Sequence, residues 1–156
     1  LAKNWVFMIS DERVTTSAAV NNLKSYVEDV DIKLFALNKG KNFNNINNAF
    51  LGKLNFVYPT SEFIYGNDVN VKRFNEKYKA KNNSLPTKNA IRGFDVTYDA
   101  LIRLACNQSL EDGLKSGKSM RISSGFNYTK KLFSNFENSN VFLIEYSEDL
   151  NTRIIE

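Results

Sequence analysis

Few residues in this sequence could support catalysis. It contains no histidine, which is the commonest general base and the commonest metal ligand, and it contains a single cysteine, Cys106. A lone thiol without a histidine is a poor nucleophile. The glycines are isolated and do not form a loop of the kind that binds phosphate. The sequence therefore predicts that the chain is not an enzyme, with no catalytic residues, no metal and no cofactor.

One pair of acidic residues could share a proton or hold a cation. Asp95 and Asp99 lie one helical turn apart, and Arg92 and Arg103 flank them. Such mixed charges are more typical of a solvated network on the surface of a helix. We therefore expect this pair to face solvent, and we expect Cys106 to be a small buried hydrophobic residue.

Three short apolar segments indicate the fold class. Residues 5–9, 32–37 and 54–58 are typical of strands that are buried on both faces of a parallel sheet. Helical patterns lie between them, which predicts right-handed βαβ connections. We expect an α/β fold of three layers, in which helices flank a Rossmann-like sheet and the three segments are parallel strands.

The loops that follow these strands form the candidate binding site. Ligands of open parallel sheets bind at the carboxyl ends of the strands. The loops there carry charged, hydroxyl and aromatic side chains, although ordinary solvated loops are the alternative at each position. The candidate ligand-binding residues are Ser10, Asp11, Glu12, Arg13, Asn38, Lys39, Tyr58, Thr60 and Ser61.

A long amphipathic helix is predicted over residues 87–105, with Thr87 as its N-cap. Gly93 costs about 1 kcal/mol relative to alanine inside a helix, so we expect another backbone to pass close to it. The apolar stripe of this helix consists of Ile91, Phe94, Tyr98, Leu101, Ile102 and Ala105. Exposure would forfeit about 1.5–3 kcal/mol for each large side chain. We therefore expect strands at residues 120–128 and 141–146, or a second chain, to cover the stripe.

Composition excludes several classes of function. The chain has 156 residues, 42% of them hydrophobic, which is enough for one domain with a packed core. Its net charge of +4 comes from scattered lysines, without the basic and aromatic stripe that a nucleic-acid partner requires. No apolar segment is long enough to span a membrane. A single cysteine excludes an intrachain disulfide. The cysteine content therefore does not indicate whether the protein works in an oxidising or a reducing compartment.

The order of several segments carries a resemblance to a known family. The segments are NWVFMISDERVTTSAAVNNLKSY, DIKLFAL, NNAFLGKLNFVYP, FNEKYKAK, PTKNAIRGFDVTYDALIRLA and VFLIEY. Together they resemble a type I periplasmic-binding fold over residues 3–148. More narrowly, the chain is similar to branched-chain amino-acid binding proteins, in the form found in Bacteroidota cell-envelope proteins. The resemblance corresponds to the C-terminal half of such a protein.

The resemblance implies a non-catalytic solute-binding protein of the periplasm or cell envelope, with two lobes that close on a small polar ligand. Residues 1–58 would form an α/β lobe, residues 59–119 a hinge crossover with helices that pack on a partner lobe, and residues 120–156 returning strands. The partner would be a missing N-terminal lobe or a second chain. A scaffold with a vestigial cleft, or a protein-partner module of the cell envelope, is the alternative.

The sequence departs from this family at one binding position. Amino-acid binders of the family have an acidic residue before the glycine that leads into the third strand, and its carboxylate holds the ammonium group of the ligand. This chain has Leu51 before Gly52.

Overall fold

A computed structural model describes residues 3–132, 135–149 and 151–155. The chain forms two compact units, of which the first contains residues 1–60 and 142–156 and the second contains residues 61–141. The first boundary lies two residues after the predicted lobe 1–58, and the predicted segment 120–156 is divided between the units. In chain order the elements are β1 (Lys3–Met8), α1 (Arg13–Leu23), β2 (Asp31–Ala36), a 3₁₀ turn (Lys41–Phe43), α2 (Asn48–Lys53), β3 (Val57–Thr60), α3 (Val69–Asn82), α4 (Lys88–Cys106), α5 (Leu110–Leu114), β4 (Ser119–Met120), β5 (Gly125–Phe126), β6 (Tyr128–Lys130), β7 (Phe136–Asn138), β8 (Phe142–Tyr146) and β9 (Thr152–Ile155).

The sheet of the first unit has the strand order β1-β2-β3-β8-β9. β2 is parallel to β1 and to β3, which confirms the prediction that the three apolar segments are parallel strands of one sheet. β8 pairs antiparallel with β3, and β9 pairs antiparallel with β8. The fold of this unit is therefore mixed α/β, with both parallel and antiparallel pairings.

The third strand begins later than its apolar sequence predicts. α2 continues to Lys53, and a turn follows in which Asn55 has a φ angle of 43°. Asparagine tolerates this left-handed conformation better than most residues do. The segment predicted at residues 54–58 therefore begins as a turn, and β3 runs from Val57 to Thr60.

The core of the first unit lies on one face of this sheet. Side chains from α1, α2 and the 3₁₀ turn pack there against alternate residues of the strands, so this unit has two layers. The buried hydrophobic residues of this cluster are Val20, Ile32, Leu34, Ala36, Phe43, Leu51, Leu54, Phe56 and Tyr146.

The prediction that the first segment is buried on both faces is wrong. Trp5 is 66% exposed and Phe7 is 62% exposed, and both rings contact Phe35 of the neighbouring strand. β1 lies at the edge of the sheet, and its side chains alternate between the two faces. The helices of the unit pack on the face that carries Leu34, which leaves Trp5 and Phe7 on the exposed face.

The second unit is built on α3 and α4, with α5 and the short pairs β4–β5 and β6–β7. The side chain of Thr87 accepts a hydrogen bond of 3.2 Å from the backbone N–H of Ala90, which confirms the predicted N-cap of α4. Asp68 caps α3 in the same way, because its carboxylate accepts from the N–H groups of Asn70 and Val71. Both long helices therefore begin at residues whose side chains satisfy free backbone donors.

The packing around Gly93 differs from the prediction made from the sequence. A Cβ atom at Gly93 would meet no described atom within 4 Å, so the prediction of a close backbone there is wrong. Close packing occurs at Gly52 of α2 instead. A Cβ atom at that position would lie 2.5 Å from the backbone oxygen of Ser147, which follows β8. Gly52 is therefore needed for the contact between α2 and the end of β8.

We expect alanine to have opposite effects at these two glycines. Gly52→Ala should lower the free energy of unfolding by about 1–3 kcal/mol, because the methyl group overlaps with backbone. Gly93→Ala should raise it by up to about 1 kcal/mol, because alanine favours the helix and open space surrounds the site. Urea unfolding of both variants tests this pair, and a stabilised Gly52→Ala would contradict the packing described here.

Candidate functional site

The predicted site residues, called the rim below, lie near the carboxyl ends of β1, β2 and β3 in the sequence. Ser10, Asp11 and Glu12 precede α1, and Arg13 is its first residue. Asn38 and Lys39 follow β2. The remaining members belong to β3 or follow it, namely Tyr58, Thr60 and Ser61, and Ser61 is the first residue of the second unit.

Two loops of the rim are connected through the backbone oxygen of Ser10. This oxygen accepts hydrogen bonds of 3.3 Å from the hydroxyl of Thr16 and from the side-chain amide of Asn42. Both donors are buried, with Thr16 in α1 and Asn42 in the 3₁₀ turn after β2. These hydrogen bonds therefore hold the loops after β1 and β2 together. Breaking them would leave buried polar groups without partners, which costs free energy.

The acidic side chains of the rim are bound by neutral donors. The amide of Asn38 donates to Asp11 Oδ1 at 3.2 Å, which links the two loops a second time. The Thr15 hydroxyl donates to Glu12 Oε2, and the backbone N–H of Glu12 donates to Ser10 Oγ at 3.2 Å. Glu12 occupies the N-cap position of α1 without accepting a bond from the helix backbone. These contacts orient both carboxylates.

Lys39 lies beside two aromatic rings of the first unit. Its ammonium nitrogen is 4.3 Å from the ring centre of Tyr146 and 5.9 Å from that of Tyr58, and it donates a hydrogen bond to the Tyr146 hydroxyl. Burial raises the pKa of Tyr58, and the neighbouring Tyr146 raises it further. Tyr58 is therefore a neutral hydroxyl at ordinary pH, able to donate a hydrogen bond.

These contacts join six of the nine predicted residues, in three pairs. The pairs are Ser10 with Glu12, Asp11 with Asn38, and Lys39 with Tyr58. Arg13 makes no ion pair with any described residue and is exposed. Sequence reasoning missed Tyr146, which belongs to the strand that was predicted at residues 141–146. Only the pairing of β8 beside β3 places it near Lys39.

The acidic pair of α4 is buried, so the prediction that it faces solvent is wrong. Asp95 accepts hydrogen bonds of 2.8–3.0 Å from the backbone N–H groups of residues 122–124 and from the Ser123 hydroxyl. Asp99 is bound by Ser119, Arg103 and Arg121 at 2.6–3.0 Å. Each of the four carboxylate oxygens thus has at least one donor, and the pair joins α4 to the segment 119–124.

Most of the apolar stripe of α4 is exposed, because the segment 119–124 packs on the acidic side of this helix. Ile91 is only 7% exposed, but Leu101 is 58% exposed, and Phe94, Tyr98 and Ile102 are also open to solvent. The expectation that strands of this chain cover the stripe is therefore wrong. The same helix ends at Cys106, which is exposed and not buried as predicted.

A groove with a volume of about 580 Å³ runs between α3 and α4. Phe74 contacts Phe94 with ring centres 4.7 Å apart, and Phe94 stacks on Tyr98 at 5.4 Å. Arg73 and Lys77 line the α3 side, and neither makes an ion pair within the described part of the chain. The groove thus joins the exposed stripe and adds a basic border to it.

Among solved structures, the chain is similar to the branched-chain amino acid transporter substrate-binding protein LivJ from Streptococcus pneumoniae, in its complex with isoleucine. The match covers 97% of this chain and 44% of that chain, with 12% sequence identity and a TM-score of 0.41. The chain therefore spans less than half the length of that protein. No protein-family model and no curated protein matches the sequence. None of the described helices is long and apolar enough to cross a membrane.

The buried network of α4 predicts a pH-dependent stability. Burial raises the pKa of Asp99, but the hydrogen bonds from Ser119, Arg103 and Arg121 outweigh it and hold the pKa below its ordinary value. The stabilisation is therefore complete above about pH 3.9, the pKa of an unperturbed aspartate. It is lost as the pH falls through the lower pKa of the folded state.

We expect Asp99→Asn to lower the free energy of unfolding by about 3–5 kcal/mol near pH 7, because the buried guanidinium of Arg103 loses its counter-charge. The difference from the wild type should shrink as the pH falls from about 3.9 through the lower pKa of Asp99 in the folded state, because the wild-type carboxylate is then protonated as well. Urea unfolding at several pH values measures this, with Glu76→Gln on exposed α3 as the control. A difference that is independent of pH would contradict the assignment.

Proposed function

We propose that this chain is a non-catalytic solute-binding domain of a bacterial cell-envelope protein, of the type I periplasmic-binding kind. A small polar ligand binds at the rim, in a cleft that a partner lobe completes. One observation carries this proposal. Loops from the ends of two parallel strands are joined by the hydrogen bonds at Ser10 and Asp11, so that the rim is oriented in advance. Oriented polar groups lower the entropy cost of binding.

The chemistry of the rim favours binding over catalysis. Its carboxylates are engaged by Asn38 and Thr15, and Lys39 contacts tyrosines. Catalysis by a nucleophile needs that group within hydrogen-bond reach of a base. The Thr15 hydroxyl reaches the Glu12 carboxylate, but no described group orients that carboxylate in turn as a base. The contacts of the rim therefore fit a site that holds a solute without changing it.

The proposed organisation has two lobes. Residues 1–58 form an α/β lobe, residues 59–119 supply the hinge crossover and the helices that pack on a partner lobe, and residues 120–156 contain the strands that return to the sheet. The partner is a missing N-terminal lobe or a second chain. It covers the stripe of α4 and adds the third layer to the exposed face of β1. We place the protein in the periplasm or cell envelope, as a substrate-binding component of transport of the Bacteroidota type.

A second candidate function is that of a protein-partner module with a vestigial cleft. The exposed stripe of α4 favours it, because Leu101 and the residues around it form an apolar surface that continues into the groove. Contiguous exposed apolar surfaces of this kind mark sites of protein association. The two functions differ in one respect, since only the first requires a solute to bind at the rim.

A thermal-shift screen tests the first function. The probes are α-amino acids, carboxylic acids, amines, sugars and inorganic phosphate. A solute present at 100 times its Kd should raise the Tm by about 5–10 °C. Asn38→Ala should weaken its binding about tenfold or more, because hydrogen bonds to charged groups contribute about 1.5–3 kcal/mol.

Asn45→Ala is the matched control for Asn38→Ala, because Asn45 is an exposed asparagine of the same unit without a described hydrogen bond. It should leave solute binding unchanged. If no probe shifts the Tm, or if both variants behave alike, the solute-binding function is refuted and the partner module remains.

The exposed stripe predicts how the isolated chain tolerates charge on α4. Leu101→Lys should change the free energy of unfolding by less than about 0.5 kcal/mol, because an exposed side chain loses no packing. Ile91→Lys, on the same stripe, should cost several times more, because this residue is buried. Urea unfolding of the two variants decides the point. Equal and large losses would show that the whole stripe is covered within the chain.

A further inference from the structure

The charge of Lys39 has no counter-ion in the described part of the chain. Lys39 is half-buried, and the contacts of its ammonium group are the hydroxyl of Tyr146 and the rings of Tyr58 and Tyr146. An ammonium group carries three N–H donors, and the tyrosine hydroxyl accepts one of them. Two donors therefore remain for another acceptor.

The carboxylates of the rim do not neutralise this charge. Asp11 is bound by the amide of Asn38, and Glu12 is bound by the hydroxyl of Thr15. Neither forms an ion pair with Lys39, although all of them belong to the same rim. Removing an ammonium group from water is costly unless it is paired, and aromatic faces replace only part of its hydration. An anion bound at Lys39 would replace the part of this hydration that the aromatic rings do not replace.

The aromatic surface at Lys39 is also closed to a cationic ligand. A ligand ammonium is usually recognised by the faces of aromatic rings. Here the ammonium group of Lys39 already lies 4.3 Å and 5.9 Å from the ring centres of Tyr146 and Tyr58, and a second cation would be repelled by it. The neutral hydroxyl of Tyr58 can donate a further hydrogen bond to an anion. The local chemistry therefore selects for negative charge.

We propose that Lys39 binds the carboxylate of a small organic acid, and that Tyr146 is the positioning residue that holds Lys39 for it. This proposal rests on solute binding at the rim and names the class of solute. An ammonium group on the ligand is not required, because the free donors of Lys39 and the hydroxyl of Tyr58 act on the carboxylate alone. One cation matches the single negative charge of a carboxylate better than the greater charge of phosphate.

Matched solutes test the proposal by isothermal titration calorimetry on the full chain. Each set contains an α-amino acid, the acid that lacks its amino group and the amine that lacks its carboxylate. One set is leucine, 4-methylpentanoate and 3-methylbutylamine, and a second is phenylalanine, 3-phenylpropanoate and phenethylamine. Inorganic phosphate is the fourth probe. In at least one set, the α-amino acid and the acid that lacks its amino group should bind with similar affinity. Both should bind at least tenfold more tightly than the amine and phosphate.

Substitutions then assign the contact. Lys39→Met should weaken binding of the carboxylates at least tenfold, Lys39→Arg should restore part of it, and Lys118→Met is the control at an exposed lysine without described partners. Tyr146→Phe should reduce the preference for the carboxylate over the amine, a readout that loss of stability alone would not change. If Lys39→Met fails to fold, Lys39→Gln takes its place.

The outcomes separate this inference from solute binding as such. Preference for the amine, tighter binding of phosphate, or carboxylate affinity that Lys39→Met leaves unchanged would overturn the assignment to Lys39, while solute binding at the rim would stand. Failure of every probe, in these sets and in the wider screen, would remove solute binding and the assignment together.

Discussion

The burial of two carboxylates on α4 is the constraint on which the second unit depends. Asp95 and Asp99 are inaccessible to solvent and are satisfied by donors from residues 103 and 119–124. A buried carboxylate without such donors would cost several kcal/mol, so the segment that supplies them has to lie against this side of the helix. The apolar side of α4 is thereby turned outward, and the unit is incomplete as an apolar core.

Buried polar groups that need hydrogen-bond partners also determine the arrangement of the rim in the first unit. The buried side chains of Thr16 and Asn42 need hydrogen-bond partners, and the backbone oxygen of Ser10 accepts from both. This arrangement joins the loops after β1 and β2, which places Asp11 beside Asn38. A requirement of folding thus produces an oriented polar surface at the carboxyl ends of parallel strands, where ligands of such sheets bind.

Local features of the structure were predictable from the sequence. The apolar runs of β1 and β2 and the N-cap at Thr87 depend on neighbouring residues only, and the structure confirms them. Side-chain burial was less predictable. The apolar run of β1 contains the same residue types as a central strand, but its position at the edge leaves Trp5 exposed.

Interactions between distant residues could not be predicted. The donors of Asp95 lie 27–29 residues away in the chain, and the pattern of charges on α4 gives no sign of them. Tyr146 meets Lys39 across 107 residues, because β8 pairs with β3, which is distant in the sequence. The rim could therefore be proposed from the order of the strands, but the contact of Tyr146 with Lys39 could not.

The location of solute binding is the most direct test of the account. Backbone amide chemical shifts can be followed by NMR while the chain is titrated with the organic acid that gives the largest thermal shift. If a solute binds at the rim, the changes should concentrate at Asp11, Asn38, Lys39 and the neighbouring end of β3. Changes confined to the groove between α3 and α4, with the rim unaffected, would contradict it.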